Sequence, residues 1–381
     1  MPEISIVAVE NKRQQKQFMQ FAWELYAGDP LWIPPLRQNH REMLNYDPHP
    51  FYDNNPIQTF IALKDGKVAG RVAALINKDH NERYKENRGF FGFFECINDQ
   101  EVCGALFDTA RAWLKEHGIE QVRGPANPSL NHECGMLVDG FDESPMFMMT
   151  YNPSYYPKLL EDYGFRKVED MYAFWGHIDM LETLDPKLKF IADESKRRFD
   201  VQLRRFDKKN FDKDVRSFLD VYNKSLVGTW GFVPMTEAEM EHSSKGLKQL
   251  IIPELTTICE IDGKVIGSVF GLLDYNPRIK LIDGKLFPFG FIRLLWNRKK
   301  IDRLRLLSAN VVPEYQRWGI GLVILDRLVP DLKAWGIKEV EFSWVLESNH
   351  LSRSSLERGG AKRTKTYRMY DYGPAEDAAA E

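Results

Sequence analysis

The stretch DGKVAGRVAA at Asp65–Ala74 returns as DGKVIGSVFG at Asp262–Gly271, a spacing of 262 − 65 = 197 residues. In each copy an Asp-Gly pair stands between β-rich runs, the short-range signature of a hairpin with a two-residue turn. Further matches lie on either side. Upstream, Leu31-Trp32-Ile33-Pro34-Pro35 faces Thr229-Trp230-Gly231-Phe232-Val233-Pro234, at 230 − 32 = 198. Downstream, Leu160-Glu161-Asp162-Tyr163-Gly164 faces Leu356-Glu357-Arg358-Gly359-Gly360, at 360 − 164 = 196. Between them, KEHGI at Lys115–Ile119 faces KAWGI at Lys333–Ile337, each closing an amphipathic helical pattern. Singly such turns and helix-ending glycines are common punctuation; their shared order argues for a duplicated domain. Each half reads strand, helix, a second helix bearing the Trp/Pro segment, hairpin, strand, helix, strand, helix, strand. That order implies an α/β domain with helices packed on a central sheet. The expected organisation is a first domain at 1–178, a linker at 179–200 that contains Pro186, a second domain at 201–373, and a disordered tail at 374–381.

Composition narrows the function. The 381 residues exceed one typical domain of roughly 150. Lys and Arg number 52 against 55 Asp and Glu, a net charge of −3, which excludes the basic footprint of a dedicated nucleic-acid binder. The 43% hydrophobic and 28% charged content is that of a folded chain. Cys96, Cys103, Cys134 and Cys259 form no CxxC pair and read as reduced thiols of a cytosolic protein. The opening MPEISIVAVENKRQQ lacks the order of a signal peptide, and no run reaches the ~18 apolar residues of a membrane helix. A cytoplasmic protein without integral membrane association is expected.

The chemistry concentrates in the second half. RLRLLSANVV at Arg303–Val312 is a β-rich run, followed by Pro313-Glu314-Tyr315-Gln316-Arg317-Trp318-Gly319-Ile320-Gly321 and then by LVILDRLVPDLKAWG. Leu322, Leu325, Leu328 and Leu332 fit helical spacing, with Pro330 expected to kink the helix. A glycine-bearing loop between strand and helix leaves backbone N–H groups aimed outward with the helix dipole behind them, an anion site suited to a pyrophosphate.

The run Val311 to Gly321 resembles the acyl-coenzyme A loop of the GNAT acetyltransferase superfamily, with Gln316, Gly319 and Gly321 at the positions of its Gln/Arg-x-x-Gly-x-Gly/Ala pattern. Asn349, Ser352, Leu356 and Gly360-Ala361 are similar to the family's later element. The resemblance covers the second half, and the repeat extends it to the first. It implies two tandem α/β domains, each a mixed, mostly antiparallel central sheet flanked by helices. It also implies acetyl-CoA as co-substrate and no metal. The pantetheine arm would pair with backbone at Val311 and Val312. Backbone amides of Gln316, Arg317, Trp318, Gly319, Ile320 and Gly321 would hold the pyrophosphate, and Asn349 and Ser352 would lie along the cofactor arm. Catalysis would be by positioning, with an amine held in line with the thioester. Leu356 stands where the family often has a tyrosine to protonate the thiolate; Tyr315, Tyr367, Tyr370, water or the substrate amine are the alternatives. Glu347, at the end of the run Val340–Leu346, is the candidate general base, with a solvated strand-end charge as the competing reading.

In the first half the matching stretch, Cys96–Phe107, lacks the Gln-x-x-Gly pair and carries Asp99 and Glu101 where phosphates would lie. Carboxylates at a helix N-terminus satisfy its amides themselves, so this half is expected to be a degenerate copy. Its insert Gly124–Gly135 reads as a substrate loop or as turn chemistry. The consecutive His132, Glu133 and Cys134 diverge on a strand and carry no metal or nucleophile assignment. A second insert, Lys280–Lys300, mixes Phe287, Phe289, Phe291 and Trp296 with Arg293, Arg298, Lys299 and Lys300. It leaves three roles open: a membrane-surface segment, a grip on an acidic partner, and a lid over the second half's cleft, of which the lid fits the sequence best.

These readings converge on an acyl-CoA-dependent N-acyltransferase that transfers an acetyl or other acyl group to a primary amine of a small molecule or peptide. A coenzyme A sensor without catalysis, consistent with Leu356, is one alternative. An aminoacyl transferase of the tandem type is another, disfavoured by the intact coenzyme A loop and the missing basic stripe. A monomer is expected, with the first half in the place of a second subunit. The apolar helix faces around Phe18, Phe21, Trp23 and Leu25, and around Phe218, Leu219 and Tyr222, are large enough to bury much of each half.

Overall fold

A computed structural model describes residues 3–181 and 186–373; the tail expected at 374–381 lies outside them. The first repeat runs β1 (Ile4–Ala8), α1 (Lys12–Leu25), α2 (Arg37–Met43), β2 (Ile57–Lys64), β3 (Lys67–Leu75), α3 (Lys78–Tyr84), β4 (Arg88–Cys96), α4 (Gln100–Glu116) and β5 (Gln121–Gly124). The short pair β6 (Ala126–Asn127) and β7 (Glu133–Cys134), then β8 (Met136–Asp139), α5 (Tyr156–Tyr163) and β9 (Arg166–His177), complete it. The second repeat opens with α6 (Pro186–Phe199), β10 (Gln202–Arg204), α7 (Phe211–Ser225), α8 (Glu237–Leu247), β11 (Thr256–Ile261) and β12 (Lys264–Leu273). It continues through α9 (Asn276–Leu281), α10 (Gly290–Leu295), β13 (Arg303–Val311), α11 (Ile320–Trp335), β14 (Glu339–Leu346), α12 (His350–Arg358) and β15 (Lys362–Tyr372).

Two compact units result. One comprises residues 1–170, 283–286 and 365–381; the other comprises 171–282 and 287–364. In the first, β1, β2, β3 and β4 pair antiparallel in that order, β4 pairs parallel with β5, and β5 pairs antiparallel with β15. In the second, β10, β11, β12 and β13 pair antiparallel, β13 pairs parallel with β14, and β14 pairs antiparallel with β9. The two sheets share one plan, and neither takes its last strand from its own repeat. The first uses residues 365–372 of β15; the second uses residues 171–177 of β9.

Local chemistry explains the frame. Both hairpins turn as the sequence predicts: Asp65 and Gly66, and Asp262 and Gly263, all have positive φ (50°, 76°, 50° and 72°), the two-residue turn that follows the twist of paired strands. Asn11 caps α1 and Thr236 caps α8, each in a reciprocal capping box. The Trp/Pro segments are corrected: Trp32–Pro35 and Phe232–Pro234 are extended links before α2 and α8, because their prolines remove helical N–H donors. Helix α11 runs unbroken through Pro330.

In the first unit, Phe18, Met19 and Leu44 of the α1–α2 layer pack on Ile61, Ala73 and Phe93 of the sheet. On the other face Leu106 and Phe107 of α4 and Leu160 of α5 join Phe60, Phe91 and Phe94. In the second unit Phe218 of α7 meets Phe270 of β12 edge-on at 4.4 Å, and Ile324 of α11 covers Gly267. Phe18 and Phe218 are therefore used within their own three-layer units.

Candidate active site

The parallel step between β13 and β14 is where the second sheet opens. Their register runs Arg303↔Glu339, Leu304↔Val340, Arg305↔Glu341 and Leu306↔Phe342 and then stops, although both strands continue. Beyond it, β14 pairs through Val345↔Tyr172 and Leu346↔Met171 on its other side, and β13 pairs through Ala309↔Val269 and Val311↔Gly267. Val312 N–H donates to Ile266 O at 2.9 Å, so strand alternation turns the amides of Ala309 and Val311 toward the parted edge. Such an edge accepts an extended ligand arm in place of a strand. Val311 and Val312 differ here: the amide of Val312 is committed to Ile266, whereas that of Val311 faces the parted edge.

The loop after β13 is braced from within. Gln316 Nε2 donates to Val311 O (3.0 Å) and to Ser225 O (2.9 Å), tying the loop to the end of α7. Gln316 thus shapes the loop by its side chain. Gly319 has φ 72°, and a Cβ there would lie 2.5 Å from Ile191 Cγ2 and 2.9 Å from Ser195 Oγ. A Cβ on Gly321 would meet nothing within 4 Å. The amides of Leu322 and Val323 turn back onto Gly319 O, at 3.0 and 3.2 Å. Those of Ile320 and Gly321 stand at the helix start, ahead of any acceptor within α11. Open space at Gly321, first-turn amides and the dipole of a 16-residue helix together fit a pyrophosphate.

Cations flank this end. Arg317 is exposed, and the Arg198 guanidinium stacks 4.2 Å over the Trp318 ring. Arg198 comes within reach of the loop because α6 packs on it: Ser195 Oγ donates to Trp318 O, Lys196 pairs with Asp326 at 2.6 Å, and Phe199 contacts Tyr315 and Trp318 edge-on. The stretch 179–200, read from sequence as a linker, carries this helix. The signal available was the basic run Lys196-Arg197-Arg198.

At the other end of the gap, Asn349 caps α12, its Oδ1 accepting from Ser352 N–H at 3.1 Å, which leaves its Nδ2 as the donor able to reach a ligand. Glu347 Oε1 accepts from Tyr172 OH at 3.1 Å, and Arg353 donates to the Glu347 carbonyl. Tyr172, buried on β9 with Arg363 4.8 Å over its ring, is a residue that sequence reading missed, because it belongs to the first repeat. Of the tyrosines considered as acids, Tyr315 lies on the loop, whereas Tyr367 and Tyr370 belong to the first unit, where Tyr370 OH donates to Glu161 at 3.0 Å. Deeper in the second sheet, Arg305 Nε donates to Ser343 Oγ (2.9 Å), which donates to Glu341. Asn310 Oδ1 accepts from Ser308 Oγ (2.7 Å) and Ser225 Oγ (3.1 Å), while its Nδ2 is buried without a partner among the described residues.

No family model matches the chain. Protein YghO of Escherichia coli is 34% identical over 367 residues, 95% of this chain and 93% of that protein. The bacterial ceramide synthase of Caulobacter vibrioides is 33% identical over 380 residues, 97% of each chain. A tandem GNAT protein from the clavulanic acid biosynthesis pathway aligns over 98% of this chain and all of its own, with a TM-score of 0.56 at 11% identity. The chain belongs to the same family as YghO and the bacterial ceramide synthase, and its fold is that of tandem GNAT proteins.

Within this tandem GNAT fold the first repeat has closed the corresponding site. Asp99 caps α4, accepting from Glu101 N–H (3.0 Å) and Val102 N–H (3.2 Å) and pairing with Lys64. The Lys64 ammonium holds the Asp99 carboxyl below the usual carboxylate range. β4 and β5 also part, after Phe90↔Arg123, but the insert fills the gap: Asn127 Oδ1 accepts from Phe93 N–H at 2.6 Å, and Ala126 O lies 2.0 Å from where a Gly92 Cβ would be. The first repeat is thus closed at both places by its own side chains. Among the described residues no group of His, Cys, Asp and Glu could hold a metal ion, and no helix is long and apolar enough to cross a membrane. The four cysteines are buried, and none of them forms a disulfide.

Proposed function

We propose that this protein is an acyl-CoA-dependent N-acyltransferase with one coenzyme A site, in the second unit. The observation that carries the reading is the pairing of a parted β13–β14 edge with an uncovered helix start at Gly321, both closed by protein groups in the first unit. The first-turn amides of α11, with Arg317 and Arg198, would bind the pyrophosphate. The Val311 amide would orient the arm and stabilise the oxygen of the attacked carbonyl. The amine nitrogen forms a C–N bond as the C–S bond breaks, the thiolate leaves with coenzyme A, and the amine proton passes to the Glu347 carboxylate, which Tyr172 OH orients. The similarity to a ceramide synthase supports a fatty acyl group and a long-chain amine as the substrate class.

Acyl-CoA thioesters of graded chain length, mixed with a panel of amines that includes long-chain amino alcohols, test this by release of free thiol. Thiol release with a long-chain amine is expected, and tight coenzyme A binding with no release from any amine would establish the sensor reading instead. Glu347→Gln is expected to lower turnover about a hundredfold at neutral pH. The loss should shrink as pH rises and the amine deprotonates in water. An unchanged pH–rate profile would leave Glu347 a structural residue.

A further inference from the structure

The segment Phe287–Ile301 belongs to the second unit, and its side chains divide sharply by environment. Phe287, Phe289 and Trp296 are 74%, 68% and 72% exposed, and Phe291 and Ile292 are 44% exposed each. Phe287 and Phe291 lie together, ring centroids 6.3 Å apart. Exposed aromatic side chains in such density exceed the scatter of single apolar residues on an ordinary protein surface.

The segment is nevertheless anchored. Leu294 is buried beneath it, and Arg278 on α9 donates to the carbonyls of Leu294 (3.0 Å) and Asn297 (2.8 Å). Arg298 donates to Gln249 O at 3.0 Å, and Lys299 Nζ sits 3.9 Å over the Trp335 ring. These contacts hold one side of the segment to its own unit and leave the aromatic rings on the solvent side. A lid works the other way, turning its apolar side chains inward.

Charge selects the occupant. From Phe287 to Ile301 there are four cations, Arg293, Arg298, Lys299 and Lys300, and no acidic residue. A water-facing group of aromatic rings with cations on the same short segment matches a membrane interface, where rings enter the acyl boundary and cations meet anionic headgroups. We infer that the Phe287–Lys300 segment binds the protein peripherally to an anionic lipid surface. This inference rests on exposure and charge alone and is independent of the acyl-transfer reading.

Sedimentation of the full-length protein with vesicles of phosphatidylcholine, alone or mixed with phosphatidylglycerol, tests it. Binding to the mixed vesicles is expected, weakened by salt, with a blue shift of tryptophan emission that Trp296→Phe removes. Phe287→Ser with Trp296→Ser is expected to lower partitioning at least about tenfold, and Arg293→Ser with Lys300→Ser about tenfold, with circular dichroism unchanged. Absence of binding, or equal binding by all of these variants, overturns the inference. So does an oligomer that the same substitutions dissolve in a protein that binds no vesicle. Should the aromatic variant fail to fold, brominated lipids decide: quenching of tryptophan emission in the unsubstituted protein that the conservative Trp296→Phe variant loses supports the inference, and absence of that difference overturns it.

Discussion

In the first unit the side chains of Asp99 and Asn127 take up backbone groups whose counterparts in the second unit, at Ile320, Gly321 and the edge of β13, are those we propose to bind coenzyme A. The paired strands beneath differ as well. Arg71↔Glu95 in the first sheet corresponds to Ser268↔Asn310 in the second. Arg71, buried, lies 3.5 Å from Glu95 and donates to Phe18 O at 2.8 Å, while Tyr26 OH and Tyr156 OH donate to Glu95 at 2.8 and 2.7 Å. Burial pushes the Glu95 carboxyl up against the opposing pull of Arg71, and it pushes the His40 imidazole beside Arg71 well below its usual range. The second unit has two small polar side chains at this place. The first copy keeps the backbone plan and supplies partners for these groups from its own side chains, since buried polar groups left unmatched are costly.

The largest expected effect separates the repeats from the units. A chain of residues 197–381 lacks the β9 strand of its own sheet and the α6 helix over its loop, and it should be insoluble or fail to melt cooperatively by calorimetry. A soluble fragment with full coenzyme A affinity would show that β9 is dispensable. Next, Glu95→Ala leaves Arg71 without its carboxylate and should cost about 3–5 kcal/mol in chemical denaturation. Asn310→Ala, with no charge to strand, should cost about 1 kcal/mol.

Binding then distinguishes the two helix starts. Gly321→Glu sets a carboxylate against the pyrophosphate and should weaken coenzyme A binding more than about a hundredfold by titration calorimetry, given the loss of helix-terminal anion binding and added repulsion. Gly104→Glu, one turn inside α4 and equally free of steric conflict, should leave affinity unchanged. Gly319→Asp is a poorer probe, because it collides with α6 whatever the ligand does. The smallest effect is expected at Asp99: Asp99→Ala removes a cap and should cost about 1 kcal/mol by thermal unfolding. It should not create a second coenzyme A site, since Asn127 still occupies the sheet gap.

Hairpins, repeat order and the glycine-bearing loop ahead of α11 were legible because each rests on local chemistry: Asp-Gly at a positive-φ turn, glycines at a helix start, apolar residues at helical spacing. The closed first site was half legible. Asp99 and Glu101 announced it, whereas Asn127 lies 34 residues from Phe93 and no local signal links them. The exchange of last strands was not legible, since β9 and β15 each follow a helix with a similar ending and nothing in either strand names its neighbour. Helix α6 was obscured by a proline at its first position and a charged surface, features that linkers share. Nothing local marks Arg71 and Glu95, because Tyr26 and Tyr156 reach Glu95 only in the fold.

The exchange of last strands bears on how the protein is made. Synthesis delivers the first repeat entire by His177, yet the sheet of the first unit still lacks the strand that pairs with β5 and β8, which comes from residues 365–372. That unit therefore waits, with the edge of β5 uncovered, while nearly two hundred further residues are added. A premature stop before Lys365 would damage the half of the protein that was translated first.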